Sequence, residues 1–188
     1  MVNIIIPYFS GSGHTLKIAE EVKKGIQQVN QTNVVLLNVD PIAELDWNKL
    51  HEADAIILGA PTYMGSLPWQ FKRFIDEASM LGFWTEQKWA DKIAAGFTIG
   101  ASTSGDKLNS LIQLSVFAAQ HSMVWMGQNH IGSKHTNDGR RINDVGSWLG
   151  LSATSNTDKE KMIYEHDALT AQMFGRRVAE ATHRWSKS

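Results

Sequence analysis

The sequence of 188 residues contains no cysteine. This absence excludes disulfides, thiolate nucleophiles, iron–sulfur ligation and zinc sites that use cysteine. Redox chemistry in this chain would therefore require a bound organic cofactor. Proline is also scarce, with four residues, and the composition is that of an ordinary globular protein. Nothing in it indicates a disordered chain.

An excess of charge of one sign is missing too, because 18 basic side chains face 19 acidic ones. Nucleic acids and anionic membrane surfaces attract clustered Lys and Arg, so neither is an expected partner. The apolar start, residues 1–8, has no basic leader and is too short for a signal peptide or a membrane span. The sequence therefore predicts a cytoplasmic protein, and its length predicts a single domain over residues 1–188.

Apolar patterning predicts strands that alternate with helices. Short apolar runs predict five strands, at residues 2–8, 33–39, 54–59, 92–100 and 123–126. Helical spacing predicts helices after the first, third and fourth strands, and a closing helix from about residue 165. The helix after the fourth strand is expected to place on one side Leu108, Leu111, Ile112, Ser115 and Ala119. This alternation indicates an α/β protein with a parallel sheet covered by helices on both faces.

The loop Ser10-Gly-Ser-Gly-His-Thr15 joins the first strand to a helix. Ligands of open parallel sheets bind at the carboxyl ends of the strands, where the strand order reverses. Small hydroxyl residues and glycines at a helix N-terminus let several N–H groups and hydroxyls converge on one phosphate without a lysine. The loop therefore predicts a phosphate site. The alternative is a capped helix that follows a glycine turn.

The loop differs from two related phosphate-binding motifs. The ATP-binding loop ends in Gly-Lys-Ser/Thr, whereas Gly13 is followed here by His14 and Thr15, which makes triphosphate binding improbable. A dinucleotide fingerprint needs a third glycine where Leu16 stands. Asp40 does end the second strand where a ribose-binding acid would lie, so the dinucleotide interpretation stays open.

Further motifs follow the other strands: Ala60–Gly65 (APTYMG) followed by Gln70–Asp76 (QFKRFID), then Thr98–Ser102 (TIGAS) and Ala119–Met123 (AQHSM). In this order and spacing, together with the first loop, they resemble the flavodoxin superfamily. Within it the chain is similar to the tryptophan-repressor-binding-protein type of NAD(P)H:quinone reductase, from Val2 to Val178. The resemblance implies a flavodoxin-like three-layer fold with strand order 2-1-3-4-5 and one bound flavin mononucleotide (FMN).

The resemblance also implies roles for the residues that match. The FMN phosphate cradle would consist of Ser10, Ser12, Gly13, His14 and Thr15. The flavin ring would be lined by Pro61, Thr62, Tyr63, Met64 and Gly65, with Ser102, Thr103 and Gly105 at its other edge. His121 stands where this family carries a histidine near flavin and substrate, which implies a catalytic role in contacting quinone or stabilising the reduced ring. Capping of the preceding helix is the alternative for His121.

The implied activity is that of an FMN-dependent NAD(P)H dehydrogenase (quinone), in which NADH or NADPH delivers a hydride and a quinone leaves with two electrons in a ping-pong cycle. The alternatives are a flavodoxin-type electron carrier and a non-catalytic FMN-binding regulatory module. Charge steering favours a strongly acidic carrier, and this chain is nearly neutral. A homodimer or homotetramer is expected. The insertion that often separates the second and third strands in such relatives is missing between Asp40 and Asp54.

Residues 127–161 are rich in Gly, Asn, Ser and Thr and show no sustained periodicity, which is typical of functional loops. We expect the part around Trp148 to pack beside the flavin or a neighbouring subunit. Arg140 and Arg141 would meet a nicotinamide dinucleotide phosphate, or carry only solvated loop charge. His130 and His135 lack a matched third ligand, so no metal site is predicted.

Overall fold

The computed structural model of the chain describes residues 1–132, 139–158 and 160–186. In chain order, its elements are β1 (Val2–Tyr8), α1 (His14–Gln27), β2 (Thr32–Asn38), a short 3-10 turn (Ile42–Glu44), α2 (Trp47–Glu52), β3 (Ala55–Pro61), α3 (Trp69–Met80), β4 (Ile93–Gly100), α4 (Lys107–Gln120), β5 (Val124–Trp125), β6 (Leu151–Thr154) and α5 (Glu165–Trp185). None of the helices within these residues is both long enough and apolar enough to cross a membrane.

The sheet is parallel and its main path runs β2-β1-β3-β4-β5, which confirms the predicted fold and strand order. Side chains of one strand alternate between the two faces of a sheet. In β1, Ile4 joins the core beneath α1 and α5, and Ile5 joins the core beneath α3 and α4. Both faces of the sheet are therefore covered, which explains why the strands are almost wholly apolar.

A sixth strand, β6, lies inside the segment that has no periodicity in sequence. β5 pairs with the start of β4, where Val124 lies opposite Ile93, and β6 pairs with its end, where Leu151 lies opposite Phe97. β3 occupies the other side of β4, so β5 and β6 share one edge and form a single interrupted strand. The described residues 126–132 and 139–150 therefore lie in sequence between the two halves of this edge strand.

The inner face of α4 differs from the predicted one. Leu108 and Ile112 are 60% and 44% exposed and Ala119 is exposed as well, so their predicted inward orientation is wrong, whereas Leu111 is buried. The buried side is formed by Lys107, Ser110, Leu111, Leu114, Phe117 and Ala118. Apolar residues lie on both sides of this helix, so periodicity alone does not decide which side faces the sheet.

Candidate functional site

The first loop presents backbone donors at the N-terminus of α1. Gly13 lies at φ +92° before His14, a conformation that glycine adopts without the penalty of a Cβ. The Leu16 N–H donates to Ser10 Oγ at 3.1 Å, and the Lys17 N–H donates to the Gly13 carbonyl at 3.0 Å. The N–H groups of residues 11–15 have no acceptor within the described chain. These free donors, at the positive end of a helix dipole, are the chemistry of an anion site.

The side chains of this loop are arranged around those donors. The Ser10 hydroxyl accepts the Leu16 N–H and keeps its own hydrogen for a ligand. Ser12 Oγ lies 3.0 Å from His14 Nδ1, and Thr15 is buried beneath them. The structure therefore brings together the residues predicted for the phosphate cradle.

The loop after β3 is a tight turn with an apolar surface. Tyr63 and Ser66 exchange backbone hydrogen bonds of 2.9 and 3.0 Å, and the turn contains Met64 and Gly65 at positive φ. Met64 is fully exposed and Tyr63 is 44% exposed. This turn approaches the first loop so closely that a Cβ at Gly11 would lie 2.4 Å from the Tyr63 hydroxyl. An apolar surface of this kind beside free N–H donors suits a planar ligand that carries a phosphate.

Thr62 fixes that turn from inside rather than facing a ligand with its hydroxyl. Its Oγ1 lies 2.8 Å from Thr98 Oγ1 and 2.8 Å from Ser110 Oγ, and its N–H donates to the Ile99 carbonyl. No local sequence pattern indicates this network, because its members are far apart in the chain. Pro61, the last residue of β3, is buried.

The third loop, residues 101–106, is exposed along its whole length, including Ser102, Thr103 and Gly105. Gly105 lies at φ +51°, and the side chain of Asp106 lies next to Gly65, 3.6 Å from the position of an added Cβ. The second and third loops are therefore neighbours at the carboxyl edge of the sheet, as the sequence predicted.

A cavity of about 250 Å³ joins the first two loops to the end of β4. Its lining is Ser12, His14, Thr15, Pro61, Thr62, Tyr63, Ile99, Gly100, Ala101 and Ser155. Sequence reasoning missed Ser155, because this residue directly follows β6, a strand that the sequence did not predict. Ligand clefts hold roughly 300 to 1,000 Å³. A cavity of this size suits the phosphate end of a ligand whose ring rests on the exposed loops.

His121 lies at the opposite edge of the sheet. It follows the last residue of α4, is 2% exposed, and packs its ring 4.7 Å from Trp89 and 4.6 Å from Phe117 between ring centroids. Burial lowers the pKa of His121, and its Nδ1 has no hydrogen-bond partner in the described residues. Because α4 runs antiparallel to the strands and starts at the loop edge, the structure does not bring His121 to the other predicted residues within one chain.

Residues 145–149, which precede β6, lie beside the third loop on its far side. A cavity of about 820 Å³ is lined there by Thr103, Ser104, Lys107, Leu108, Ile112, residues 145–149 and Ser152. Trp148 is 54% exposed in this lining. Arg141 pairs with Asp144, His130 is partly buried, and His135 lies outside the described residues. Those residues contain no group of three acidic or histidine side chains placed to hold a metal ion.

Sequence reasoning also missed Lys107, the first residue of α4. The side chain is 3% exposed, and its Nζ donates to the Ala153 carbonyl at 2.6 Å and to Thr154 Oγ1 at 3.1 Å. Burial lowers the pKa of Lys107 to about 8, and the nearby Asp167 opposes that shift. A lysine after a small polar loop has no signal in sequence that distinguishes it from a solvated one.

Known proteins resemble this chain over nearly its whole length. It matches the NADPH-dependent FMN reductase family over residues 8–138. It is 36% identical to flavodoxin FldP of Pseudomonas aeruginosa, covering 95% of this chain and 96% of the relative. It is 28% identical to NAD(P)H dehydrogenase (quinone) of Geobacter sulfurreducens, covering 95% and 97%. The structure of a flavodoxin, WrbA-like protein from Agrobacterium tumefaciens superposes with a TM-score of 0.75 at 34% identity, covering 98% and 99%. The chain belongs to the NADPH-dependent FMN reductase family, and it is a WrbA-like member of the flavodoxin superfamily, in which FMN is the cofactor and NAD(P)H the reductant.

Proposed function

We propose that the chain is an FMN-dependent oxidoreductase, a single FMN-binding domain that passes electrons from NAD(P)H to a quinone or a similar small acceptor. The observation that carries this proposal is the row of free N–H donors at residues 11–15 beside the exposed surface of Tyr63 and Met64. The first feature fits the phosphate of FMN, and the second fits the ring.

The phosphate end is held without a cationic side chain. Each charge-assisted hydrogen bond contributes roughly 1.5 to 3 kcal/mol, so a few converging N–H groups and the hydroxyls of Ser10 and Ser12 suffice for a dianion. Gly13 shapes the cradle through its positive φ. Gly11 leaves the space that Tyr63 occupies, so a side chain there would push the two loops apart.

The ring end is held by the second and third loops. Bound FMN supplies the two-electron chemistry of the reaction. Tyr63 and Met64 offer apolar contacts, while the network of Thr62, Thr98 and Ser110 keeps their turn in place. The exposed loop that contains Ser102, Thr103 and Gly105 offers hydroxyls and N–H groups toward the other edge of the ring.

A flavodoxin-type electron carrier is the second candidate, because the relative that is 36% identical to this chain is named a flavodoxin. The formal net charge of −1 favours the enzyme, since carriers use a strongly acidic surface to reach their partners. The cavity of about 820 Å³ beside the third loop also offers room for a second small molecule. A non-catalytic FMN-binding module is the remaining alternative, and cytoplasmic localisation stays a prediction.

Two measurements test the proposal. The purified protein is expected to show the visible absorption of a flavin, with released FMN identified by its mass. Oxidation of NADH and NADPH is then followed with and without a benzoquinone, and initial rates at several quinone concentrations should give the parallel lines of a ping-pong cycle. A coloured protein that oxidises neither nucleotide would leave the carrier or the regulatory module. A protein that does not bind added FMN would refute the enzyme, the electron carrier and the FMN-binding module alike.

The proposal includes assembly of two copies through the outer side of α4. Leu108, Ile112 and Val116 form an exposed stripe, and Ile112 and Val116 share a groove of about 430 Å³ with Trp84. These four side chains expose on the order of 400 Å², which would form the apolar centre of an interface that buries about 800 Å² per partner. His121 lines the same groove. A catalytic role for His121 therefore requires that a second copy place its own candidate cofactor loops beside this groove.

Sedimentation tests this assembly with a matched pair of variants. Ile112→Glu buries a charge at the centre of the expected interface and should convert a dimer to a monomer. Ile131→Glu is the control, because Ile131 is 54% exposed and lies outside the groove. A wild-type protein that sediments as a monomer at tens of micromolar would contradict the assembly.

A further inference from the structure

Lys107 is a buried cation directly beneath the candidate flavin site. A Cβ added to Gly100, which lines the phosphate-end cavity, would lie 3.6 Å from Lys107 Cδ and 3.9 Å from Thr62 Cβ. On its other side Lys107 lines the cavity of about 820 Å³, together with Thr103 and Ser104 of the third loop. The lysine therefore lies between the cradle and the surface that faces the far edge of the ring.

The hydrogen-bond partners of this ammonium group are neutral. Its acceptors are the Ala153 carbonyl and the Thr154 hydroxyl, and no carboxylate oxygen of the described residues lies within 4.0 Å of Nζ. Asp167 interacts with the lysine only from farther away, and its Oδ2 accepts the Thr154 N–H at 2.8 Å. Burying a charge whose hydrogen-bond partners are neutral is costly, and the more distant Asp167 offsets only part of that cost, so a lysine here needs a reason other than stability.

Reduction of a bound flavin is a reason for a buried positive charge at this position. The inference rests on the proposed function. A hydride carries two electrons and one proton from NAD(P)H to the ring, oxidises the nicotinamide, and leaves the reduced ring with one negative charge. We propose that the Lys107 ammonium stabilises this charge and thereby raises the reduction potential of bound FMN. Two oxygens of β6 hold the ammonium in place, so no solvent needs to reorganise when the charge forms.

The same geometry predicts coupling between electrons and a proton. Burial lowers the pKa of Lys107 to about 8. A negative ring raises this pKa, because it favours the charged lysine. Below about pH 8 the lysine is charged in both redox states. Above about pH 8, reduction of FMN is accompanied by binding of an additional proton to Lys107. The potential should therefore fall about twice as steeply with pH, up to the higher pKa that Lys107 has when the ring is reduced.

Other ionisable groups face this region and must be separated from Lys107. Asp167 and His166 lie at the start of α5, where His166 Nε2 is 3.7 Å from Asp167 Oδ1 and 4.0 Å from Asp144 Oδ2. Burial raises the pKa of Asp167, and Asp106 lies beside Lys107 in the third loop. The Lys107 charge lowers the pKa of Asp167, so the neutral variants also change this carboxyl group. Lys107→Arg keeps that charge and therefore separates the loss of the lysine from a change in Asp167.

The test compares variants that keep or remove the charge. Lys107→Met and Lys107→Gln are neutral, whereas Lys107→Arg stays charged. Lys92→Met is the matched control, because Lys92 is also partly buried and donates to the carbonyls of His51 and Ala53 at the opposite edge of the sheet. The potential of bound FMN is measured by equilibration with a reference dye between pH 6 and pH 10, and the dissociation constants of oxidised and reduced FMN are measured in parallel.

For two unit charges about 12 Å apart at an effective dielectric constant near 20, the neutral variants should lose roughly tenfold in affinity for reduced relative to oxidised FMN. This loss corresponds to about 30 mV for a two-electron couple. Lys107→Arg and Lys92→Met should keep the wild-type potential near neutral pH, and the steeper slope above pH 8 should vanish without the lysine. A neutral variant with the wild-type potential would refute the inference.

The result separates the two proposals. If the wild-type protein does not bind FMN, the proposed function fails first. If it binds FMN and the neutral variants fail to fold, Lys107→Arg decides, because its side chain stays charged over the whole range; a slope above pH 8 that is the same in this variant and in the wild type would refute proton uptake by Lys107.

Discussion

Replacement of Gly13 by alanine tests the phosphate cradle most directly. Gly13 lies at φ +92°, where an L side chain costs roughly 1 to 2 kcal/mol, and its added Cβ would meet only the flexible end of Met162, at 2.6 Å. The variant should therefore fold with a modest loss of stability. A shift of the loop that removes one charge-assisted hydrogen bond to the phosphate, worth roughly 1.5 to 3 kcal/mol, raises the dissociation constant of FMN about 10-fold to 100-fold.

Gly139 provides the matched control, because it has φ +70° and no atom within 4 Å of an added Cβ. Gly139→Ala should lose a similar amount of stability in urea and bind FMN as the wild type does. Riboflavin lacks the phosphate, so the substitution Gly13→Ala should change the dissociation constant of riboflavin far less than that of FMN. Equal losses of FMN and riboflavin affinity in Gly13→Ala, or unchanged FMN affinity, would refute a phosphate cradle at residues 11–15.

Three further predictions concern stability. Gly25→Ala should destabilise the fold by several kcal/mol in urea despite the helix propensity of alanine, because its Cβ would lie 1.8 Å from the Gln172 carbonyl of α5; a neutral or stabilising effect would contradict this close helix contact. Thr62→Val should cost about 1 to 3 kcal/mol and weaken FMN binding, since it leaves two buried hydroxyl partners unsatisfied; equal FMN affinity would contradict the role of Thr62 in holding the turn. Burial raises the pKa of Asp167, so the folded state binds the carboxyl proton of Asp167 more tightly than the unfolded state does. The resulting contribution to the unfolding free energy is lost as the pH rises from about 3.8 through the raised pKa. Asp167→Asn should flatten the fall of unfolding free energy in that window, and an unchanged profile in urea melts would exclude it.

The strands and the loops were visible in sequence because their signals are local. Apolar runs that end in small polar loops predicted β1 and the phosphate cradle, since backbone donors at a helix N-terminus follow from position in the chain. β6 was missed because four residues, Leu-Ser-Ala-Thr, carry too little pattern to outweigh the polar segment around them. The inner face of α4 was assigned incorrectly because Leu108 and Ile112 are as apolar as the residues that are buried.

His121 and Lys107 show the limit of local reasoning most clearly. Lys107 is the first residue of α4 and His121 directly follows its last residue; the helix spans the sheet, so its start lies at the edge of the three loops and its end lies at the far edge. By itself the sequence determined the α/β class, the order of the first five strands and the position of the glycine-rich loop at the start of α1. Only the tertiary structure decided which end of each helix meets the loops and which charge is buried there, because these depend on packing between residues that are distant in the chain.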